Sequence, residues 1–245
     1  MSIDLRTTLG LARSLVIYHN PLRLAALRRF YAGLLPPGAL AFDVGAHVGS
    51  RARVLRAAGA RVVAIEPQAA FARFLRRTLP RDITLIEAAL GPQETTAEMV
   101  VSALHPTVST LQPDFAATAG AAPGFGHVRW DRRQQVQVTT LDRLIAAHGR
   151  PDYIKIDVEG FELDVLSGLS QPIPLISVEY LPPLPGNTLR VIDRLADLGP
   201  YRFNPVTGES GRFLWPDWRD GPATAAWLRA LPPTARSGDL YARLS

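Results

Sequence analysis

The sequence predicts a doubly wound α/β fold, and three observations predict it. Short apolar runs alternate with helix-patterned stretches through most of the chain. One stretch, Phe42–Glu66, reads FDVGAHVGSRARVLRAAGARVVAIE: a strand, a glycine turn, a helix and a second strand, which make one βαβ unit. Finally, Asp43, Glu66, Ala88, Asp157 and Glu179 all fall at or just beyond predicted strand ends. Ligands in such sheets bind outside the carboxyl ends of the strands, so one crevice gathers these residues.

The elements follow in order. Ile3–Tyr18 and Leu22–Leu34 carry apolar residues at helical spacing, with a break at Asn20-Pro21. Arg23, Arg28 and Arg29 give the second helix a basic face. That face reads either as the solvent side of a cap on the sheet edge or as a lid or docking surface. Ala39–Asp43 is a buried parallel strand, Gly45 permits a sharp turn, and Gly49 permits close helix packing. The helix Ser50–Ala58 stops at Gly59, and Arg61–Ile65 is the second strand. Gln68–Leu79 is a helix ended by Pro80, and Ile83–Ala88 is a third strand before the turn at Gly91-Pro92. Thr95–Ser102 is β-branched enough for another strand. Ala103–His127 is irregular and rich in proline, glycine and alanine, and reads as a substrate-side loop or a disordered insertion. Beyond it come a strand at Gln135–Thr140, a helix at Leu141–Ala147 and a strand at Tyr153–Val158. A helix at Gly160–Leu169, a strand at Leu175–Tyr180 and a helix at Thr188–Leu198 complete the alternation. Phe203–Trp215 and Gly238–Leu244 are late strands, in the usual place for an antiparallel edge or hairpin.

Composition narrows the function. The chain has 245 residues and no cysteine, which leaves no disulfide frame and no thiolate chemistry. This fits a reducing compartment, and a cytoplasmic protein is expected. The net charge is +5, carried almost wholly by arginines that are not interleaved with aromatics, so a nucleic-acid groove is not expected. No apolar run is long enough to span a membrane. Leu9–Tyr18 is apolar, but Asp4 precedes it and Tyr18-His19-Asn20-Pro21 is unlike a small-residue cleavage site.

The glycine turn selects among adenosine ligands. The dinucleotide fingerprint G-x-G-x-x-G needs glycines where this chain has His47 and Ser50. A nicotinamide oxidoreductase is therefore disfavoured. What remains is D-x-G-x-x-x-G from Asp43 to Gly49, which suits a ligand with an amine, a carboxylate and a ribose but no phosphate. S-adenosylmethionine (SAM) is such a ligand. Asp43 is placed near its ammonium, the turn amides near its carboxylate, and Glu66 near both ribose hydroxyls. The plain alternative is an ordinary βαβ corner with a surface glutamate.

Seven ordered motifs carry a resemblance. They are FDVGAHVG from Phe42, AIEP from Ala64, EAALG from Glu87, TTLDRL from Thr139, IKIDVEGFELDVLSG from Ile154, SVEY from Ser177 and GDLYAR from Gly238. In these the chain resembles the FkbM-type SAM-dependent methyltransferases. The resemblance implies a Rossmann-like class I methyltransferase fold: a seven-stranded, mostly parallel sheet with an antiparallel edge strand. With the two leading helices read from their spacing, the chain divides into residues 1–36, an N-terminal helical cap, and 37–245, the methyltransferase domain. The resemblance also implies O-methylation of a hydroxyl on a small molecule, natural product or saccharide. By position, Asp43, Gly45, Ala46, His47 and Gly49 line the methionine part of SAM, Glu66 and Pro67 the ribose, and Ala88 the adenine. His47 stands where such proteins often have asparagine.

Methyl transfer to a hydroxyl needs alignment and a base. Asp157 is the first candidate, Glu159 the second, with His47 and His105 behind them. Asp157 and Glu179 would also suit Mg²⁺ in a metal-assisted variant, which is not favoured. A methyltransferase-fold scaffold without catalysis is the rival class, and SAM binding separates the two.

Overall fold

The computed structural model describes residues 5–18, 20–102, 109–111 and 130–245. His105 and Asp114, together with most of the irregular stretch, lie outside the described residues.

Two helices lead, α1 (Leu5–Tyr18) and α2 (Pro21–Leu34). The break between them is made by Asn20, whose side chain accepts from the amides of Leu22 and Arg23, with Pro21 opening the helix. Then come β1 (Leu40–Val44), α3 (Ser50–Ala57), β2 (Arg61–Ile65), α4 (Ala69–Thr78) and β3 (Ile83–Ile86). A small excursion, β4 (Ala89–Leu90), β5 (Thr95–Val101) and β6 (Arg132–Thr139), follows. The chain then runs through α5 (Leu141–His148), β7 (Tyr153–Ile156), α6 (Glu162–Ser167), β8 (Leu175–Tyr180), α7 (Pro185–Leu198), β9 (Tyr201–Thr207), α8 (Gly221–Ala230) and β10 (Gly238–Leu244).

The main sheet has the order β3-β2-β1-β7-β8-β10-β9. The first five strands are parallel, and β10 runs antiparallel between β8 and β9, so the far edge is an antiparallel pair. Every residue of β1 and of β7 is buried, as befits central strands covered on both faces. Their loops part at the switch point, which opens a crevice between them. Two apolar cores flank the sheet. One gathers Phe42, Ile156, Val165 and Leu166 with α7 and α8, and the other gathers Tyr31, Leu55 and Leu75 with α2, α3 and α4. Among the described residues no helix is long and apolar enough to cross a membrane.

The structure moves several element boundaries. The third strand stops at Ile86, because the chain then leaves the sheet and Ala89–Leu90 pairs with β6 instead. Arg76 holds Glu87 at that corner through two bonds of 2.8 and 2.6 Å. The strand expected over Phe203–Trp215 ends at Thr207, where Gly208 and then Gly211 turn with positive φ. The helix after β7 starts only at Glu162, since Glu159 and Gly160 both take positive φ. Helix α8 went unrecognised in the sequence, although Asp220 caps it and Pro222 stands in its first turn.

Candidate active site

Register places the first pair of charges. Asp43 on β1 lies directly opposite Lys155 on β7, the two central strands. Both side chains are almost fully buried and line one pocket of about 930 Å³, open mouth included. Asp43 Oδ2 has no hydrogen-bond partner among the described residues. Burial pushes its carboxyl up to about 6, against the pull of Lys155 and Arg51.

The turn after β1 is built for close approach. A Cβ on Gly45 would lie 1.9 Å from the carbonyl oxygen of Asp157, and the residue has φ +87°. Only glycine fits between the two loops there. Gly49 also has positive φ, but it abuts Leu75 of α4 and Leu79 just after it and is not part of the pocket wall. The turn amides are committed within the protein. Gly45 and Ala46 donate to the Ile65 carbonyl at 3.0 and 2.9 Å, and Gly49 donates to Ala46 at 2.7 Å. The amide of His47 donates to Glu66 Oε2 at 2.7 Å. None of these four amides is left free to donate to a ligand. A free donor lies on Arg51: its Nη1 is buried and lacks a hydrogen-bond partner among the described residues, while Nη2 bonds Glu209 at 3.1 Å.

Glu66 closes the second strand end. Its two oxygens accept from the amides of His47 and Gln68, and burial raises its carboxyl to about 7. Pro67, Gln68, Ala88, Ala89, Leu90 and Met99 continue the wall. His47 sits 4.3 Å from the Phe71 ring and meets Tyr18 edge-on at 5.4 Å. Burial lowers its imidazole to about 4, so it is neutral at pH 7.

The acidic side lies beyond β7. Lys155 Nζ donates to Asp157 Oδ2 at 2.8 Å and to Asp239 Oδ1 at 3.2 Å. Burial opposes charge on Asp157, but the Lys155 ammonium outweighs it and holds the carboxyl below its usual range. Glu159 has φ +54°, a costly conformation for a residue with a side chain, and it lines the pocket beside Asp157. Carboxylate oxygens of Asp157, Glu159 and Glu179 all lie within 4.8 Å of one another, although Glu179 is not itself in the pocket wall. Burial, then the neighbouring acids, raises Glu159 and Glu179 well above the ordinary range. Glu162 anchors the loop: it accepts from the amides of Val158 and Gly160 and bonds the Asn187 side chain.

The structure thus brings Asp43, Gly45, Ala46, His47, Glu66, Pro67, Ala88, Asp157 and Glu159 to one hollow and leaves Gly49 behind it. Sequence reasoning missed Lys155, Arg51, Asp239 and Glu209. One clue was available: Lys155 is the only lysine in the chain, and it stands two residues before Asp157 on the same strand face. Tyr18 of α1, Ser109 and Leu111 of the irregular stretch, and Glu209 after β9 also reach the wall. Of the tryptophans, Trp215 packs edge-on against Trp227, and Trp218 packs on Phe213.

The fit to SAM can be judged on these atoms. A buried, unpartnered carboxylate oxygen calls for a cationic donor, and a buried, unpartnered guanidinium nitrogen calls for an anion. An α-amino acid moiety offers both.

No curated protein matches the chain by sequence. Three solved structures align along nearly its whole length at low identity. An O-methyltransferase from Bacillus cereus, in complex with SAH, has 10% identity and TM-score 0.47, covering 100% of this chain and 93% of that one. A TehB-like SAM-dependent methyltransferase from Corynebacterium glutamicum has 10% identity and TM-score 0.47, covering 95% and 94%. Magnesium protoporphyrin IX methyltransferase from Synechocystis, with bound SAM, has 11% identity and TM-score 0.46, covering 100% and 86%. The methyltransferase FkbM domain model matches residues 43–200, a span that runs from Asp43 through the acidic side of the pocket to just past the end of α7. With that match over more than half its length, the chain belongs to the FkbM family of SAM-dependent methyltransferases.

Proposed function

We propose that the protein methylates a hydroxyl group on a small molecule, natural product or saccharide, in the cytoplasm. The observation that carries this reading is the placement of Glu159 on the wall of the same pocket as the unpartnered Oδ2 of Asp43. The first is a base for an acceptor, and the second is an anchor for an ammonium.

Residues 37–245 would carry the reaction, with residues 1–36 as a cap that closes the pocket through Tyr18. Asp43 would take the SAM ammonium and Arg51 Nη1 its carboxylate, while Glu66, Pro67 and Ala88 border the ribose and adenine. SAM bound there supplies a methyl group already activated on a sulfonium. The chain's own task is to align the acceptor oxygen and remove its proton. Lys155 fixes Asp157 in its charged form, which orients that carboxylate and weakens it as a base. Glu159, raised by burial and backed by Glu179, is the stronger base once ionised. This reverses the order that the sequence suggests. Lys155 already occupies Asp157 Oδ2 and burial favours the protonated form of Glu159 and Glu179, so the acidic group holds together without a metal and EDTA should leave turnover unchanged. Loss of turnover in EDTA that Mg²⁺ restores would establish the metal-assisted variant instead.

The test is methyl transfer from labelled SAM to a panel of hydroxylated acceptors, with the product identified by mass spectrometry. Glu159→Gln should lower turnover by roughly 10²–10⁴-fold while SAM binding, read by calorimetry, stays within about twofold. A labelled amine product would replace the hydroxyl reading. Absence of saturable SAM binding by the wild type would leave the scaffold reading standing.

A further inference from the structure

The N-terminal helices carry a feature that methyl transfer does not use. Helix α1 turns part of its apolar surface outward, while Leu11, Leu15 and Tyr18 are half-buried. Val16 is 82% exposed, Leu9 53% and Ile17 45%, and Leu22 at the start of α2 is 83% exposed. These are four of the five exposed large apolar side chains among the described residues. Leu9, Arg13, Val16 and Ile17 follow at helical spacing and share one face. The face toward the body of the protein holds Gly10 and Ser14, both buried. A helix made only to cap a sheet would keep polar residues on its outer face, not Leu9, Val16 and Ile17.

Charge says what covers this face. Residues 5–34 contain five arginines and not one acid. The chain has 27 basic and 22 acidic residues, so these five arginines account for the whole net charge of +5, and the remainder is neutral. Arg23 is spent on Glu209 at 2.7 Å. Arg13, Arg28 and Arg29 are exposed and make no ion pair with a described residue. Leu22, Ala25, Arg28 and Arg29 line a shallow groove beside α3, so α2 also turns aliphatic and cationic groups outward.

We propose that α1 and α2 form a docking surface for an anionic lipid bilayer, with Leu9, Val16, Ile17 and Leu22 entering the headgroup region and Arg13, Arg28 and Arg29 facing the lipid phosphates and carboxylates. Aliphatic side chains beside arginines, with no acid among them, are the composition of an interfacial helix. A second copy fits poorly, because a twofold contact through this face would set arginine against arginine. A nucleic acid would be better met by stacking rings, and the exposed apolar groups here are aliphatic. Tyr18, at the end of the same helix, lines the cofactor pocket, so a docked α1 would hold the pocket beside the membrane.

The test is co-sedimentation of the full chain with vesicles of phosphatidylcholine alone and of phosphatidylcholine mixed with phosphatidylserine. The wild type should partition onto the mixed vesicles, weakly onto the neutral ones, and less as salt is raised. Arg28→Glu with Arg29→Glu should weaken partitioning by roughly tenfold or more. Val16→Asp with Leu22→Asp should abolish it. Circular dichroism and calorimetric SAM binding should be unchanged in both variants, which separates lost docking from lost folding. Equal partitioning onto both vesicle types, or none, overturns the proposal. So does a concentration-dependent dimer, seen by light scattering, that the Val16 and Leu22 substitutions dissolve.

Discussion

Lys155 Nζ lies between two carboxylates, 2.8 Å from Asp157 and 3.2 Å from Asp239, with 3% of its side chain exposed. Burial alone would lower its ammonium, but the two aspartates overcome this and keep it charged. Lys155→Met removes the cation and leaves the buried Asp239 with only Arg51, 3.8 Å away, to oppose its charge, which should cost roughly 3 kcal/mol in urea unfolding. Adding Asp239→Asn should return part of that loss, because the stranded charge goes with it. Asp43 makes a second case. Asp43→Asn removes the charge expected to meet an ammonium, and affinity for SAH by calorimetry should fall by roughly 10–100-fold. In the wild type, affinity should rise from pH 5 to pH 7 with release of a proton, since the carboxyl sits at about 6 and a bound cation favours its ionised form. The Asp43→Asn variant should lose most of that slope. Asp43, Glu66, Asp157 and Glu159 were legible in the sequence because a residue at a strand tip declares itself locally. Arg51 was not, because its partner Glu209 lies far along the chain, and Lys155 showed only its local partner Asp157, since the fold alone brings Asp239 near.

The turns at the switch point set geometry that side chains only exploit. Gly45 and Gly38 both have positive φ, +87° and +77°. A Cβ on Gly38 meets nothing within 4 Å, whereas one on Gly45 meets the Asp157 carbonyl. Gly38→Ala should therefore cost about 1 kcal/mol, the strain of an L-residue in that conformation. Gly45→Ala must also push β1 and β7 apart, and should cost several-fold more in urea unfolding while weakening SAH binding. Equal losses would show that steric approach is not what the glycine serves. At this scale the sequence was read well where periodicity is strong: β1, β2, β7, β8, α4 and α7 stand close to where apolar spacing put them. It was read poorly where pairing is non-local. Nothing in Thr95–Ser102 or Gln135–Thr140 says that they pair with each other in a separate three-stranded sheet, across residues whose structure is not described. Helix α8 was missed for another reason: it is alanine-rich and packs through Thr224, Ala225 and Leu228, a narrow stripe without the bulk that marks α4.

Across the whole molecule, acids are concentrated at the carboxyl end of the sheet, and the fold holds them in a state that an unfolded chain would not. Burial is the largest cause for each: it raises Glu66 and Glu162 to about 7, and Glu159 and Glu179 well above their usual range. A carboxyl whose folded value is raised binds its proton more tightly in the native state. Its stabilising contribution is then present at low pH and is lost as pH rises through the folded value. His47 acts in the other sense, because burial lowers it to about 4, but its contribution is complete once pH passes the unfolded value near 6.5. Above that point only the carboxyls act. Glu66 and Glu162 should each forfeit about 1 kcal/mol between pH 6.5 and pH 8, and Glu159 and Glu179 add to this. For a chain of this size the ligand-free protein should lose roughly 4–8 °C of melting temperature across that interval, measured by calorimetry at constant ionic strength. Saturating SAM should shrink the loss, since its two positive charges favour the ionised acids that the empty pocket resists. A melting temperature that is flat or rising from pH 6.5 to pH 8 would mean that water reaches these carboxylates freely, and the base assigned to Glu159 would lose its physical ground.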